Sequence, residues 1–405
     1  MVSPRYGPPR RTTYDVVIVG GAVIGSSVAY WLTRNPAFDG SVLVVERDST
    51  YEFSSTVLST SAIRQQFSNP INIKISQFGV DFIRAFPDIM APFFPGETPP
   101  TLGFKEHGYL YCCSPEGVDA ARERVDLQRS LGAHTVFLDQ DSILKRFSYL
   151  NVEDLGGASW GAQAEGWFDA IGLMQGFRRA ARSAGADYLD NEVVDLECEG
   201  DRVAAVRLKT GERVSCGQIV NAAGPRARTI ANMAGLDIPV EPRKRHSFVF
   251  SCATPVPGRM PNVIDCTGTF VRPENNLFLT GNTPTPDEAV AVDDFETKHD
   301  EFEEYIWPAL AHRIPQFEAI KVQQFWTGHY AFNTLDHNAI VGWHPVVRNF
   351  MFANGFSGHG LQQAPAIGRG VSELIVHGEY QTLDLSPLCY ERIPANRPFL
   401  EDAVI

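Results

Sequence analysis

A glycine-rich turn, Gly20-Gly21-Ala22-Val23-Ile24-Gly25, and an acidic residue, Glu46, stand one helix and one strand apart. In such a unit Gly20 makes the tight turn and Gly25 lets helix and strand pack closely. The first N–H groups of the helix have no partner inside it and carry the positive end of its dipole, so they suit a pyrophosphate. Glu46 suits the hydroxyls of an adenosine ribose, which favours FAD or NAD and repels the extra phosphate of NADP. Ala22 replaces the middle glycine of GxGxxG and adds a methyl where backbone approaches phosphate; Ala22, Val23 and Ile24 are nevertheless assigned to the cofactor.

Two later strings make the dinucleotide a flavin. Asn221-Ala222-Ala223-Gly224 ends a strand in small residues that let backbone approach a cofactor. Asn354-Gly355-Phe356-Ser357-Gly358-His359-Gly360-Leu361-Gln362-Gln363-Ala364-Pro365 follows the apolar strand 350–353 and opens a helix with Pro365 in its first turn. Ala364, Ile367, Val371, Leu374 and Ile375 repeat on one face of that helix. Its N-terminus would stabilise the negative charge of a reduced flavin by ~0.3–1 kcal/mol.

Around these strings the elements are legible. Residues 14–19 and 42–45 read as buried parallel strands. Strands are predicted at 104–112, 192–196, 203–208, 213–215, 218–221, 245–251, 269–272, 277–280 and 323–330. Helices are predicted at 115–131, 139–147, 172–185 and 293–310. A chain of 405 residues, 44% hydrophobic, is long for one core. No repeat or low-complexity linker divides it, so two domains are interleaved. The fold class is α/β: a Rossmann-like FAD-binding domain interleaved with an α+β substrate domain built on a mixed sheet. We assign 14–80, 151–235 and 325–385 to the FAD domain and 81–150 and 236–324 to the substrate domain. An N-terminal tail (1–13) and a C-terminal extension (386–405) flank them.

Lys and Arg number 35 against 48 Asp and Glu, a formal net charge of −13. That balance argues against nucleic acid and anionic membranes as partners. The apolar stretch around the first glycine turn is broken by glycine and serine and follows Asp15, so no transmembrane segment is expected. Seven cysteines without a CxxC pair, and no HExxH element, predict reduced thiols and no metal. The absence of an apolar signal core predicts a cytoplasmic protein, with an organelle matrix left open.

On GGAVIG with Glu46, Ser54-Ser55-Thr56, Gly166-Trp167-Phe168-Asp169, NAAG, Trp326-Thr327-Gly328, Thr334-Leu335-Asp336 and NGFSGHG, the chain resembles the D-amino-acid oxidase superfamily of FAD-dependent amine and amino-acid oxidoreductases, which includes glycine oxidase and monomeric sarcosine oxidase. The resemblance spans nearly the whole chain. It implies tightly but noncovalently bound FAD, with Arg47, Ser54, Ser55, Thr56, Val194, Ala222, Ala223, Gly224, Gly328, Gly355, Gly358, His359, Gly360, Leu361 and Gln362 joining the first turn around it.

The same resemblance implies the chemistry. Arg64 aligns with the arginine that holds the substrate carboxylate, a task that suits a planar guanidinium fork. Gln362 stands where the family has a second, cationic carboxylate ligand, so one charge is lost. Tyr330 matches a tyrosine over the flavin, and His359 hydrogen-bonds near it. His329 stands at the cysteine that attaches FAD covalently in sarcosine oxidases. Arg245 and His246 lie on the strand expected to roof the cleft, and Phe278 aligns with an oxygen-activating lysine. The implied reaction is oxidation of the C–N bond of a small amino-acid substrate, an N-substituted glycine such as sarcosine or iminodiacetate, with oxygen or a quinone or other electron carrier as acceptor. The alternative is a flavin-containing assembly or scaffold protein with structural FAD.

Overall fold

β1 (Thr13–Val19) is central in a sheet because Val16, Val17, Ile18 and Val19 are apolar toward both faces and all four are buried. It pairs in parallel with β2 (Val42–Glu46) on one side and with Arg213–Asn221 on the other. α1 (Val23–Arg34) makes the crossover between β1 and β2. Asp187–Asp190 extends the sheet beyond β2, and Phe350–Asn354 then Ile340–Trp343 extend it beyond Arg213–Asn221. The computed structural model describes residues 6–404, so the first five residues of the expected N-terminal tail lie outside it.

One face of this sheet is covered by α1 and the helices Pro70–Met90, Ala170–Ser183 and Gly360–His377. α1 and Gly360–His377 approach closely: a Cβ on Gly368 would fall 2.1 Å from Ser27 Oγ, and that hydroxyl donates to the Ala364 carbonyl at 2.7 Å. The small residues of α1 therefore serve packing as well as the turn.

A second sheet of eight strands runs Ile320–Asn333, Val240–Cys252, Leu277–Gly281, Phe270–Glu274, Asn262–Ile264, Tyr109–Cys113, Gly157–Gly161, Thr135–Leu138. Its outer face buries Phe248, Phe250, Leu110 and Val263 against Phe302, Ile306, Leu310 and Phe317. Its inner face looks toward the first sheet. The mixed α/β architecture and the two interleaved sheets are those read from the sequence.

Several elements differ from expectation. Residues 213–215 and 218–221 are one strand, because Gly217 packs against the Asp15 carbonyl without breaking the ladder. The strand 104–112 begins only at Tyr109, after Gly108 turns at φ +85°. No helix starts at 293; the chain there crosses the cleft, and helical turns form only at Phe302–Ile306 and Trp307–Arg313. Pro365 lies inside the helix rather than in its first turn. Gly157–Gly161, assigned from sequence to the cofactor unit, pairs with Tyr109–Cys113 in the second sheet. The C-terminal extension packs onto the rest of the chain: buried Arg392 bonds Asp336 at 2.6 Å, and fully buried Glu401 accepts from Ser68, Asn69 and Asn72.

Candidate active site

A cleft of about 850 Å³ lies between the two sheets. At its floor Gly20 turns at φ +99°, and a Cβ there would meet the Ala222 carbonyl at 2.5 Å. A Cβ on Gly25 would fall 1.9 Å from the Gly20 carbonyl, so only glycine permits this crossing. Glu46 closes the β2 end: its Oε2 accepts from Gly21 N–H at 2.7 Å and its Oε1 from Asp48 N–H at 2.9 Å. Burial raises the Glu46 carboxyl, and the two N–H donors oppose that rise.

Two helix N-termini face this cleft, those of α1 and of Gly360–His377, and neither has an acidic residue in its first turn. Thr56 Oγ1 accepts from Val23 N–H at 3.3 Å, and Ser55 Oγ donates to the His329 carbonyl at 2.6 Å, so the serine-rich segment is tied to the start of α1 and to the second sheet. A long cleft with positive helix ends at two points and a carboxylate at its nucleotide end fits FAD.

The cleft gathers Gly20, Ala22, Val23, Ile24, Glu46, Arg47, Ser54, Ser55, Thr56, Ala222, Ala223, Gly224, Gly328, Gly358, Gly360 and Leu361. It also gathers Arg64, His329, Tyr330, His359 and Gln362. Three predicted positions fall outside its lining. Gly25 acts from behind, through the crossing just described. Gly355 turns the strand end at φ +68° against Val240 and Asn333. Val194 points outward and is 42% exposed, whereas Val193 lines the cleft, since neighbours on a strand face opposite sides.

At the other end Arg64 is 3% exposed. Its Nη1 donates to the Gln66 carbonyl at 3.4 Å, and its Nη2 donates to His359 Nε2 at 3.1 Å and to the Ala403 carbonyl. The guanidinium also lies 4.1 Å from the Phe67 ring centroid. Among the described residues no carboxylate comes within ion-pair range of it. Burial and the neighbouring Arg64 charge hold His359 well below the usual imidazole range, so it is neutral and accepts. Gln362 Oε1 accepts the Arg64 backbone N–H at 2.9 Å, a bond that orients the segment.

His329 lines the cleft but its Nε2 is bonded to the Asp294 carbonyl at 2.7 Å and its ring stacks on Phe295 at 4.2 Å. Tyr330 packs on Gly358, where a Cβ would fall 2.4 Å from the ring, and carries the Arg245 guanidinium 4.5 Å from its centroid. Arg245 forks onto Asp287 at 2.9 and 3.0 Å. Phe278 is not in the cleft. It stacks on Phe250 and meets Phe317 edge-on in the outer core, because strand alternation puts Leu277 and Leu279, not Phe278, on the inner face.

Sequence reasoning missed the roof's Tyr109, Asn262 and Asn282, and the strap 292–296 that closes over the cofactor end. The signal for the strap was charge: Asp293 and Asp294 pair with Arg226 and Lys244, the latter at 2.5 Å. The partners are remote in sequence, so the pairing emerges only in the fold.

A Rossmann-like sheet, a roofing second sheet and this cleft define a flavin-dependent oxidoreductase. The family model described as FAD dependent oxidoreductase matches residues 15–374, and the chain belongs to that family. It is 38% identical to FAD-dependent oxidoreductase domain-containing protein 1 of Xenopus laevis, over 98% of this chain and 86% of that protein. It is 25% identical to the mitochondrial sarcosine dehydrogenase of Mus musculus, over 91% of this chain and 40% of that one. Among solved structures it is similar to L-proline dehydrogenase from P. horikoshii, with a TM-score of 0.83 at 24% identity over 95% of this chain and 99% of that one. Glycine oxidase from Geobacillus kaustophilus gives 0.79 at 22% identity over 94% and 98%. At these identities the structures establish the fold. No helix among the described residues is long and apolar enough to cross a membrane.

Proposed function

We propose that this protein oxidises the carbon–nitrogen bond of an amino acid, a secondary amine such as an N-substituted glycine, using noncovalently bound FAD. The observation that carries this reading is Arg64: a buried cation on the cleft wall whose hydrogen-bond partners are two carbonyls and a neutral imidazole. A buried charge that meets no counter-ion among the described residues is costly, and a substrate carboxylate supplies one in the geometry a guanidinium binds best. The Ala403 carbonyl now accepts where a carboxylate oxygen would.

FAD, when bound, supplies the two-electron oxidation of the C–H bond beside nitrogen. Arg64 holds the carboxylate, and its charge disfavours an ammonium nearby, so the amine binds neutral. Gln362 fixes Arg64, Tyr330 and Gly358 shape the wall, and the roof excludes water. Hydrolysis of the resulting imine gives an aldehyde or oxoacid and a shorter amine.

A second reading, a flavin-containing assembly or scaffold protein in which FAD is structural, is favoured by one observation, the C-terminal segment resting on Arg64. Anaerobic mixing of the yellow protein with a panel of amino acids and N-substituted glycines separates the two. Bleaching by one of them establishes the enzyme; a flavin that no member reduces establishes the scaffold.

A further inference from the structure

Four arginines and no lysine line the cleft: Arg47, Arg64, Arg226 and Arg245. Three of them have counter-ions. At the nucleotide end Arg226 pairs with Asp293, and Arg47 lies 3.9 Å from Glu192 and 4.0 Å from Asp293. On the roof Arg245 forks onto Asp287, Nη1 donating to Oδ1 at 2.9 Å and Nη2 to Oδ2 at 3.0 Å, and lays its guanidinium on the Tyr330 ring. Arg64 alone meets no carboxylate among the described residues, so the substrate end of the cleft carries one unmatched positive charge.

Arg64 and Arg245 stand on opposite sides of that end. Arg64 meets the roof at strand Tyr109–Cys113, its guanidinium 5.6 Å from the Tyr111 ring centroid, while Arg245 belongs to strand Val240–Cys252, and three strands separate the two. The roof between them offers Asn262, Ile264, Phe270 and Asn282 to the cleft, none of them charged. Asp287 reaches Arg245 from outside the cleft lining. Arg243, two residues before Arg245 and on the same face of the strand, shares Asp287 at 3.4 Å and also holds Glu241 at 3.3 Å. A carboxylate entering beside Arg245 finds the fork already filled, and a desolvated charge left without a partner weakens binding.

We propose that Asp287 sets the substrate specificity: by occupying the fork of Arg245 it leaves Arg64 as the single anion site, so the cleft takes an amino acid with one carboxylate and an uncharged remainder and rejects one bearing a second acid group. The inference rests on the proposed function, which puts the substrate carboxylate on Arg64. Asp287 touches no substrate and acts through Arg245, as a positioning residue. Discrimination of this kind comes from withholding an attraction from the wrong ligand rather than from adding a contact to the right one.

The test uses FAD-loaded protein and unreactive analogues in which a thioether replaces the amine, read as the shift of flavin absorbance on titration, so that no turnover is needed. Methylthioacetate carries one carboxylate; thiodiacetate and its longer homologue carboxymethylthiobutyrate carry two. Wild type binds the monocarboxylate about tenfold or more tightly than either dicarboxylate. Asp287→Asn removes the charge but not the bulk, and Arg243 keeps Glu241, so Arg245 is the cation set free. That variant gains about tenfold or more for at least one dicarboxylate, while its affinity for methylthioacetate changes less than about threefold. Combining Asp287→Asn with Arg245→Gln abolishes the gain, which a merely structural effect at position 287 would not do. Dicarboxylates bound by wild type as tightly as the monocarboxylate overturn the proposal whether or not the variants fold, and so does the absence of any gain in flavin-loaded Asp287→Asn. If no amine bleaches the flavin yet these preferences hold, the specificity stands and the oxidation reading fails. Bleaching by amines with one and with two carboxylates alike condemns the specificity alone.

Discussion

Gln362 Oε1 accepts the backbone N–H of Arg64 at 2.9 Å, joining the first turn of helix Gly360–His377 to the segment that enters helix Pro70–Met90. The residue expected to help bind the substrate carboxylate therefore acts on the arginine itself. Gln362→Ala leaves a buried N–H unpaired, a loss of about 1–3 kcal/mol in urea unfolding. It should also raise KM for the amine more than it lowers kcat, because the guanidinium is less well fixed.

Arg64→Gln should impair substrate use far more than folding. Removing one partner of a desolvated charge pair costs about 2–5 kcal/mol, seen as a large drop in the rate of flavin reduction at low amine concentration. The flavin spectrum stays the same. Reduction kinetics equal to wild type would show that the carboxylate binds elsewhere.

Gly25→Ala should yield protein depleted of flavin. The new methyl would lie 1.9 Å from the Gly20 carbonyl, so the turn and the N-terminus of α1 must separate, and the pyrophosphate loses its N–H donors. The ratio of flavin absorbance to protein absorbance after purification measures this. A full complement of FAD in the variant would remove the turn from the cofactor site.

The flavin should leave on acid precipitation. His329, at the position of the attaching cysteine, has Nε2 bonded to the Asp294 carbonyl and is kept neutral by burial. Yellow colour retained in the washed pellet would point to a histidyl link.

Stability should depend on pH through Glu165, which is buried behind Arg64 and accepts from Gln65 N–H and Gln66 Nε2 at 2.8 Å each. Burial raises it to about 7. The folded state thus binds this proton more tightly than the unfolded chain. The stabilising contribution is full below the ordinary carboxyl pKa of about 4.3 and is lost as pH rises through about 7. Its size is on the order of 3 kcal/mol. Glu165→Gln cannot titrate, so urea unfolding should show the variant gaining on wild type between about pH 5 and pH 8. A constant difference across that range would refute the assignment.

How much was legible in the sequence follows from the range of the forces involved. The strand, turn and helix from Thr13 to Arg34 and the glycine loop at 355–360 were readable because backbone geometry and helix termini are local: Gly20 and Gly25 are needed whatever else the chain does. Glu46 was readable for the same reason, one strand end away. The sequence could not say that Asp293 and Asp294 would reach back to Arg226 and Lys244, that the C-terminal segment would bring Ala403 onto Arg64, or that Gln362 would hold Arg64. Nor could it choose between Val193 and Val194, or keep Phe278 out of the cleft, because a shift of one residue on a strand reverses the face. Residue types and their local spacing determined the cofactor; long-range packing and strand register decided which side chains meet it, since those terms depend on contacts the chain makes only once it is folded.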